Sequence, residues 1–169
     1  MTPAVLLLAL SLSAPAEKPL RTVERVDLKR YMGTWYEIAR LPTRFQKDCL
    51  AAVAMYSLRE DGEVDVVNRC RQGRLDGPIK LAKGRAWRAD ESGAKLKVSF
   101  FWPFRGDYWV LELGDGYEYA VVGEPDRRYL WVLSRTPKMD PAVLEVVLER
   151  ARQQGYDLEG LIRTEHPAG

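Results

Sequence analysis

The 169-residue sequence has few of the residues on which most enzymatic and metal sites depend. It contains one histidine, His166, and two cysteines, Cys49 and Cys70. These three residues cannot complete an ordinary four-ligand zinc site. A lone histidine in the terminal segment is also poorly placed for a Ser-His or Cys-His catalytic pair or for a haem. We therefore expect no metal, no cofactor and no catalytic residue.

The chain also lacks features of nucleic-acid-binding and membrane-spanning proteins. Its net charge of +2 gives no reason to expect a nucleic acid partner. The apolar run at residues 4–12 covers nine positions, whereas a helix that spans a bilayer needs roughly 20.

The first sixteen residues have the composition of a targeting segment. Residues 1–16 contain no charged side chain and end in the A-x-A pattern Ala14-Pro15-Ala16, so we expect a signal peptide cleaved after export. Because no cysteine follows the apolar run, a lipoprotein anchor is not expected. The predicted location is the periplasm, peripheral contact with the outer membrane, or the medium.

Export changes the interpretation of the two cysteines, because thiols in an oxidising compartment tend to pair. We therefore favour a disulfide between Cys49 and Cys70 over two buried free thiols. The simplest hairpin register pairs Arg59 with Glu63 and places Cys70 opposite Ala52. The bridge would then require Cys49 to fold back at the end of its strand.

The rest of the chain consists of short segments rich in β-branched and aromatic residues, which is typical of an all-β domain. Residues 140–154 are the exception, because Asp140 can cap a helix and apolar residues recur there at helical spacing. After a lead-in at 17–28, we expect one domain at 29–169, an eight-stranded antiparallel up-and-down β-barrel with this one C-terminal α-helix packed outside. The predicted strands cover residues 34–41, 50–59, 63–71, 79–89, 94–100, 107–113, 117–123 and 128–134, with a short ninth near 161–164.

The connections between the predicted strands alternate in kind. Those after the second, fourth and sixth strands are tight, glycine-bearing turns, and the others are longer. Alternate connections of an up-and-down barrel lie at the same end, so one end is closed and the other is an open rim. The rim connections contain eight basic and five acidic residues, and the closed-end turns two basic and seven acidic.

The stretch VSFFWPFRGDYW at residues 98–109 concentrates six aromatic residues in twelve positions. Pro103 and Gly106 are unfavourable inside a strand, which predicts a rim loop between the fifth and sixth strands. Large exposed apolar surfaces usually mark binding sites. We therefore expect these rings to line the mouth and upper wall of the barrel.

Four motifs along the chain resemble one family. The G-x-W motif Gly33-Thr34-Trp35 begins the first strand, and YSLREDG, KVSFFWPFRGDYWVL and PDRRYLWVLSRTP follow in order before the helix. Together they resemble the lipocalins, in particular the bacterial outer-membrane branch that is similar to apolipoprotein D. The resemblance implies that Gly33, Trp35 and Arg135 are structural, with Trp35 and Arg135 packed together at the closed end.

The resemblance also implies a function. Lipocalins bind small hydrophobic molecules in the barrel, and the bacterial branch is associated with fatty acids and lysophospholipids in membrane maintenance. We therefore expect non-enzymatic lipid binding, storage or transport.

Alternation along the strands, with Trp35 inside, assigns the inward-facing residues. Glu37 and Ala39 follow it on the first strand. The small residues among the others leave room for an acyl chain. The predicted ligand-binding residues are Ala52, Ala54, Tyr56, Val66, Asn68, Ala86, Leu96, Val98, Phe100, Tyr108, Val110, Ala120, Val122, Tyr129 and Trp131.

Basic residues at the rim are expected to orient the ligand. The tail should enter the barrel while an anionic or zwitterionic head group stays near these cations. They should also steer the mouth towards anionic membrane surfaces. The candidates are Arg44, Lys47, Arg74, Arg105, Arg127 and Arg128.

Two other functions stay open at this point. Some lipocalins are isomerases with a free pocket cysteine, and Cys70 falls on an inward position, although a disulfide would leave no thiolate there. The aromatic rim would also suit an interaction module that docks another protein or a second copy of the chain as a homodimer.

Overall fold

The computed structural model describes residues 18–167 and confirms the predicted all-β architecture. The predicted signal peptide at 1–16 lies outside the described residues. The elements are α1 Leu28–Tyr31, β1 Gly33–Arg40, β2 Cys49–Leu58, β3 Val64–Gln72, β4 Ile79–Arg88, β5 Lys95–Phe101, β6 Phe104–Leu113, β7 Tyr119–Gly123, β8 Leu130–Ser134, α2 Pro141–Gln153 and β9 Ile162–Arg163.

Eight antiparallel strands close into a barrel, because β1 pairs with both β2 and β8. The first half of β1 pairs with β2, from Gly33 opposite Tyr56 to Tyr36 opposite Val53. The second half separates from β2, and β9 pairs with it there. The short ninth strand therefore covers an edge that would otherwise expose unpaired backbone groups.

A bulge reverses the alternation of side chains halfway along β1. Glu37 lies opposite Leu133 of the barrel interior, whereas Ala39 lies opposite Val132, which packs beneath α2. The predicted inward position of Ala39 is therefore wrong, since one extra residue inverts every later position. Arg40 faces the interior instead.

The helix α2 packs against the outside of the barrel through one apolar stripe. The Asp140 side chain accepts a hydrogen bond from the backbone N–H of Ala142 at 2.8 Å and caps the helix. Leu144, Val147 and Leu148 are buried against the outer faces of β1, β7 and β8. Within residues 18–167, no helix is long and apolar enough to cross a membrane.

The closed end is plugged by α1, a four-residue helix that the sequence patterns did not predict. Tyr31 of α1 is 1% exposed, and its carbonyl accepts a hydrogen bond from Nε1 of Trp35 at 2.8 Å. The Arg135 guanidinium lies 3.8 Å from the centre of the Trp35 ring. It also donates to three backbone carbonyls, those of Arg30, Thr34 and Tyr117.

Cys49 and Cys70 form the expected disulfide, with Cα atoms 5.4 Å apart. The strand does not fold back as the simple register required. A bulge between Leu50 and Val53 shifts the pairing so that Cys49 lies opposite Gln72, diagonal to Cys70. The described part of the chain contains no free cysteine.

The aromatic connection between β5 and β6 is a hairpin rather than the predicted rim loop. The two strands continue to Phe101 and from Phe104, and Gly106 pairs with Val98 inside the ladder. The turn itself is Trp102-Pro103, joined by a cis peptide bond. The prediction failed because the proline occupies the turn and does not interrupt a strand.

The closed end provides a stability test. Arg135→Lys keeps the charge but removes the planar group that stacks on Trp35 and the fork that donates to three carbonyls. We expect the free energy of unfolding, measured by urea denaturation, to fall by about 2 kcal/mol. Arg88→Lys on an exposed position of β4 is the matched control. Equal stability of the two variants would contradict this account of the closed end.

Candidate ligand-binding site

The exposure of the inward-facing side chains increases from the closed end of the barrel towards the rim. Near the closed end, Tyr56, Val66 and Leu96 are buried. Towards the rim, the inward-facing residues are accessible to solvent. Because the barrel wall is closed by strand pairing, solvent reaches these side chains from inside the barrel. These residues are Ala54, Asn68, Ala82, Val98, Phe100, Tyr108 and Trp131.

Strand register places most of the predicted ligand-binding residues on the inner face. Phe100 packs over Gly84 of β4, where an added Cβ would lie 2.7 Å from its ring. Ala52 lies buried within the bulge of β2, and Tyr129 precedes β8. The others share the face of Trp35 through their pairings: Ala54, Tyr56, Val66, Asn68, Ala86, Leu96, Val98, Tyr108, Val110, Ala120, Val122 and Trp131. Their contacts with a ligand stay predictions.

Ala82 and Lys80 lie on the inner face of β4 but were not among the predicted residues. Ala82 lies opposite Asn68, and Lys80 lies opposite Cys70. Both are exposed, so Lys80 brings a positive charge to the inner edge of the mouth. Counting in steps of two from the inward residue Ala86 would have found them.

The loop between β1 and β2 lies across one side of the mouth. Phe45 of this loop is 59% exposed and forms an edge-to-face contact with Tyr129, with ring centres 5.6 Å apart. Its neighbour Gln46 accepts a hydrogen bond from Nε1 of Trp131 at 2.8 Å and donates one to Glu37 at 2.7 Å. The loop is therefore fixed to the barrel wall through the Gln46 side chain.

A buried ion pair supports that loop from below. Glu37 Oε1 lies 3.2 Å from Nε of Arg40, and both side chains are about 5% exposed. Glu37 also accepts hydrogen bonds from Thr164 and Gln46, while Arg40 donates to the carbonyls of Leu41 and Gln46. Such additional bonds offset the desolvation of a buried pair. Glu37, which the sequence placed inside the barrel, is thus already paired.

The terminal segment is packed against the same strand. His166 hydrogen-bonds through Nε2 to the carbonyl of Glu37 at 2.7 Å, and its ring contacts Tyr36 edge-on at 5.3 Å. The lone histidine therefore lies on β1 and not in the cavity.

The predicted rim cations fall into three groups. Arg44, Lys47 and Arg105 are exposed. Arg74 and Arg128 are exposed but form ion pairs with nearby aspartates in their own loops.

Arg127 is the exception, because its Nε donates to the Gln154 carbonyl at 2.7 Å and its guanidinium also contacts the Lys18 carbonyl. It ties the C-terminal end of α2 to the barrel, and we do not retain it as a head-group residue.

The tip of the β5–β6 hairpin is an exposed aromatic patch. Phe101, Trp102 and Phe104 are 75%, 73% and 71% exposed. The prediction that all rings of this stretch line the mouth and upper wall is therefore wrong for these three, which are exposed to solvent at the hairpin tip. Of this stretch, Phe100 and Tyr108 belong to the inner wall.

Three tyrosine hydroxyls meet at the floor of the cavity. The Tyr108 hydroxyl lies 2.8 Å from that of Tyr31 and 3.0 Å from that of Tyr56. Burial raises the pKa of Tyr56 to about 12 and raises the pKa values of Tyr31 and Tyr108 well above their usual value. All three therefore stay protonated near neutral pH. Sequence alternation predicted Tyr56 and Tyr108 but not Tyr31, which belongs to α1.

The described residues offer no metal centre. Within residues 18–167, no group of three or more His, Cys, Asp or Glu side chains is arranged to hold a metal ion.

Comparison with known proteins agrees with this geometry. The sequence profile of the lipocalin-like domain matches residues 26–166. The outer membrane lipoprotein Blc of Citrobacter freundii is 40% identical over 167 residues, which cover 99% of this chain and 94% of that protein. Mouse apolipoprotein D is 33% identical over 153 residues, which cover 84% of this chain and 78% of that protein.

A solved structure shares the fold. Insecticyanin from the tobacco hornworm Manduca sexta superimposes with a TM-score of 0.69 at 22% identity, covering 88% of this chain and 85% of that one. At this identity the likeness concerns the fold alone.

Proposed function

This chain belongs to the lipocalin family, whose members bind small hydrophobic molecules, and from that premise we propose that it carries one acyl-chain lipid in the barrel. The proposed ligand is a fatty acid or a lysophospholipid. The observation that carries the proposal is the solvent-accessible apolar inner wall formed by Ala54, Val98 and Phe100 above a buried floor.

The charge distribution supports binding with the tail down. The inner wall is apolar, and each methylene transferred from water to such a wall gains about 0.8 kcal/mol. Ordering the chain offsets much of this gain, so micromolar affinity is expected. An anionic or zwitterionic head group would remain near Lys80, Arg44, Lys47 and Arg105 at the mouth.

The same residues favour binding over catalysis. Cys70 has no thiol because it is bridged to Cys49, which argues against a cysteine-dependent isomerase. Glu37 is paired with Arg40 and hydrogen-bonded on both oxygens, so it is not a free general base. We therefore propose non-enzymatic transport or storage.

We further propose that the mouth docks on a membrane surface in the cell envelope. The hairpin tip offers three exposed aromatic residues, Phe101, Trp102 and Phe104, next to the exposed Arg105. Aromatic rings suit the interface between head groups and acyl chains, and basic residues are attracted to anionic lipids. The outer membrane lipoprotein Blc, a relative, supports an envelope location. We propose that the protein is exported and acts in the periplasm, at the outer membrane or in the medium.

Blocking the cavity tests the lipid-binding proposal. Ala82→Trp places a large ring on the inner face of β4, while Leu81→Trp places the same ring on the outer face one residue away. By displacement of a fluorescent fatty acid, we expect Ala82→Trp to weaken binding at least about tenfold, or 1.4 kcal/mol. Leu81→Trp should bind as the unchanged protein does. Equal affinities of the two variants would place the ligand outside the barrel.

Removing the aromatic tip tests membrane docking. We expect the triple variant Phe101→Ser, Trp102→Ser and Phe104→Ser to lose most of its cosedimentation with vesicles of phosphatidylglycerol and phosphatidylethanolamine. Val143→Ser with Val146→Ser, on the exposed face of α2, is the matched control and should cosediment normally.

Two results would count against docking. Unchanged cosedimentation of the triple variant would remove the hairpin from any membrane contact. A concentration-dependent dimer that the triple variant abolishes, in a protein that does not bind vesicles, would assign the patch to a homodimer.

A further inference from the structure

The three tyrosine hydroxyls at the cavity floor carry one more hydrogen than their mutual contacts use. Tyr108 lies between Tyr31 and Tyr56, and these two contacts are the hydrogen bonds of the three hydroxyls within residues 18–167. Each phenol donates one hydrogen. Three hydroxyls joined by two hydrogen bonds therefore leave one hydrogen over, whichever way the bonds run.

The position of the cluster decides where that hydrogen can point. Tyr31 is 1% exposed and lies below the floor in α1, whereas Tyr108 faces the cavity and is partly accessible. A buried hydroxyl hydrogen without an acceptor is unfavourable. The arrangement that leaves the spare hydrogen on Tyr108 or Tyr56 allows an acceptor within the cavity to satisfy it.

The surroundings favour a neutral acceptor over a charged one. Val110, Leu96 and Ala54 belong to the same apolar cluster as the tyrosines, and within residues 18–167 no basic side chain hydrogen-bonds to the three hydroxyls. The nearest cation that acts on them is Arg135 at the closed end, and its guanidinium donates to three backbone carbonyls there instead. A carboxylate at the floor would lose its hydration without gaining a direct contact with a cation, and burying an unpaired charge costs free energy. A carbonyl or ether oxygen needs only one donor.

We infer that the tyrosine cluster is a subsite for a neutral oxygen acceptor on the buried part of the ligand, such as a ketone or ether oxygen near the end of an acyl chain. This inference rests on the proposed tail-down binding of acyl lipids. It adds that the cavity accepts chains carrying an oxygen at the floor as well as plain hydrocarbon chains.

The test compares plain fatty acids with ketones of the same length. The ligands are tetradecanoic, hexadecanoic and octadecanoic acids and their analogues with a ketone at the penultimate carbon, so that one ketone reaches the floor level. In the unchanged protein we expect the best ketone to bind within about threefold of its plain acid. The double variant Tyr56→Phe/Tyr108→Phe keeps only the buried Tyr31 hydroxyl. In this variant we expect the same ketone to bind at least about tenfold more weakly than its plain acid.

Tyr31→Phe is the matched control. It leaves two hydroxyls with one hydrogen bond between them, and hence still one spare hydrogen at the cavity. It should discriminate between ketone and plain acid as the unchanged protein does. A purely structural role for the cluster would not separate these variants by ligand type.

Infrared spectroscopy of an isotope-labelled ketone provides a direct readout. We expect the carbonyl stretch of the bound ketone to lie at lower frequency in the unchanged protein and in Tyr31→Phe than in the double variant. Equal frequencies and equal affinity ratios in all three proteins would overturn the inference, as would be found if water holds the spare hydrogen. If neither plain acid nor ketone binds, the proposed function fails and the inference fails with it.

Discussion

The stacking of Arg135 on Trp35 is the contact from which the rest of the barrel is organised. It joins the start of β1 to the segment after β8 and, through the Arg30 carbonyl, to the plug α1. Trp35 is fully buried, which fixes the inward face of β1 and through strand pairing that of every neighbouring strand. The bottom is closed in this way, and the inward side chains at the other end, such as Ala54, Val98 and Phe100, are accessible to solvent.

That space has three chemically distinct levels. At the rim, exposed cations and the buried pair of Glu37 and Arg40 surround the mouth, and the pair fixes the loop that carries Phe45. The wall is apolar, and Gly84 on β4 makes room for the Phe100 ring. The floor is a cluster of protonated phenols. A long apolar molecule with a polar head fits this order, because each part meets a surface of matching polarity.

Much of this could be predicted from the sequence, because alternation and tight turns depend on local residue types. The strand order and the helix after Asp140 follow from such patterns. The disulfide was expected for a different reason, the pairing of thiols after export, and it forms through a bulge that the simple register did not contain. The bulge after Glu37 could not be predicted, since an extra residue leaves no trace in composition, and it reversed Ala39 and Arg40. The four-residue helix α1 is too short for a periodic pattern, so Tyr31 was missed.

The rim was predicted less well than the wall for a related reason. Whether a basic residue in a connection is exposed or hydrogen-bonded to the protein depends on tertiary contacts. Arg127, for example, donates to the carbonyls of Gln154 and Lys18, which are remote from it in sequence. The hairpin tip differs because the proline occupies the turn, so three rings that were expected to line the mouth and upper wall are exposed at the tip.

Native mass spectrometry of the purified, exported protein, followed by extraction and identification of whatever accompanies it, tests the central claim most directly. The account predicts one bound fatty acid or lysophospholipid per chain, which Ala82→Trp reduces and Leu81→Trp leaves in place. A protein that carries no lipid and takes up none from added fatty acids would contradict it.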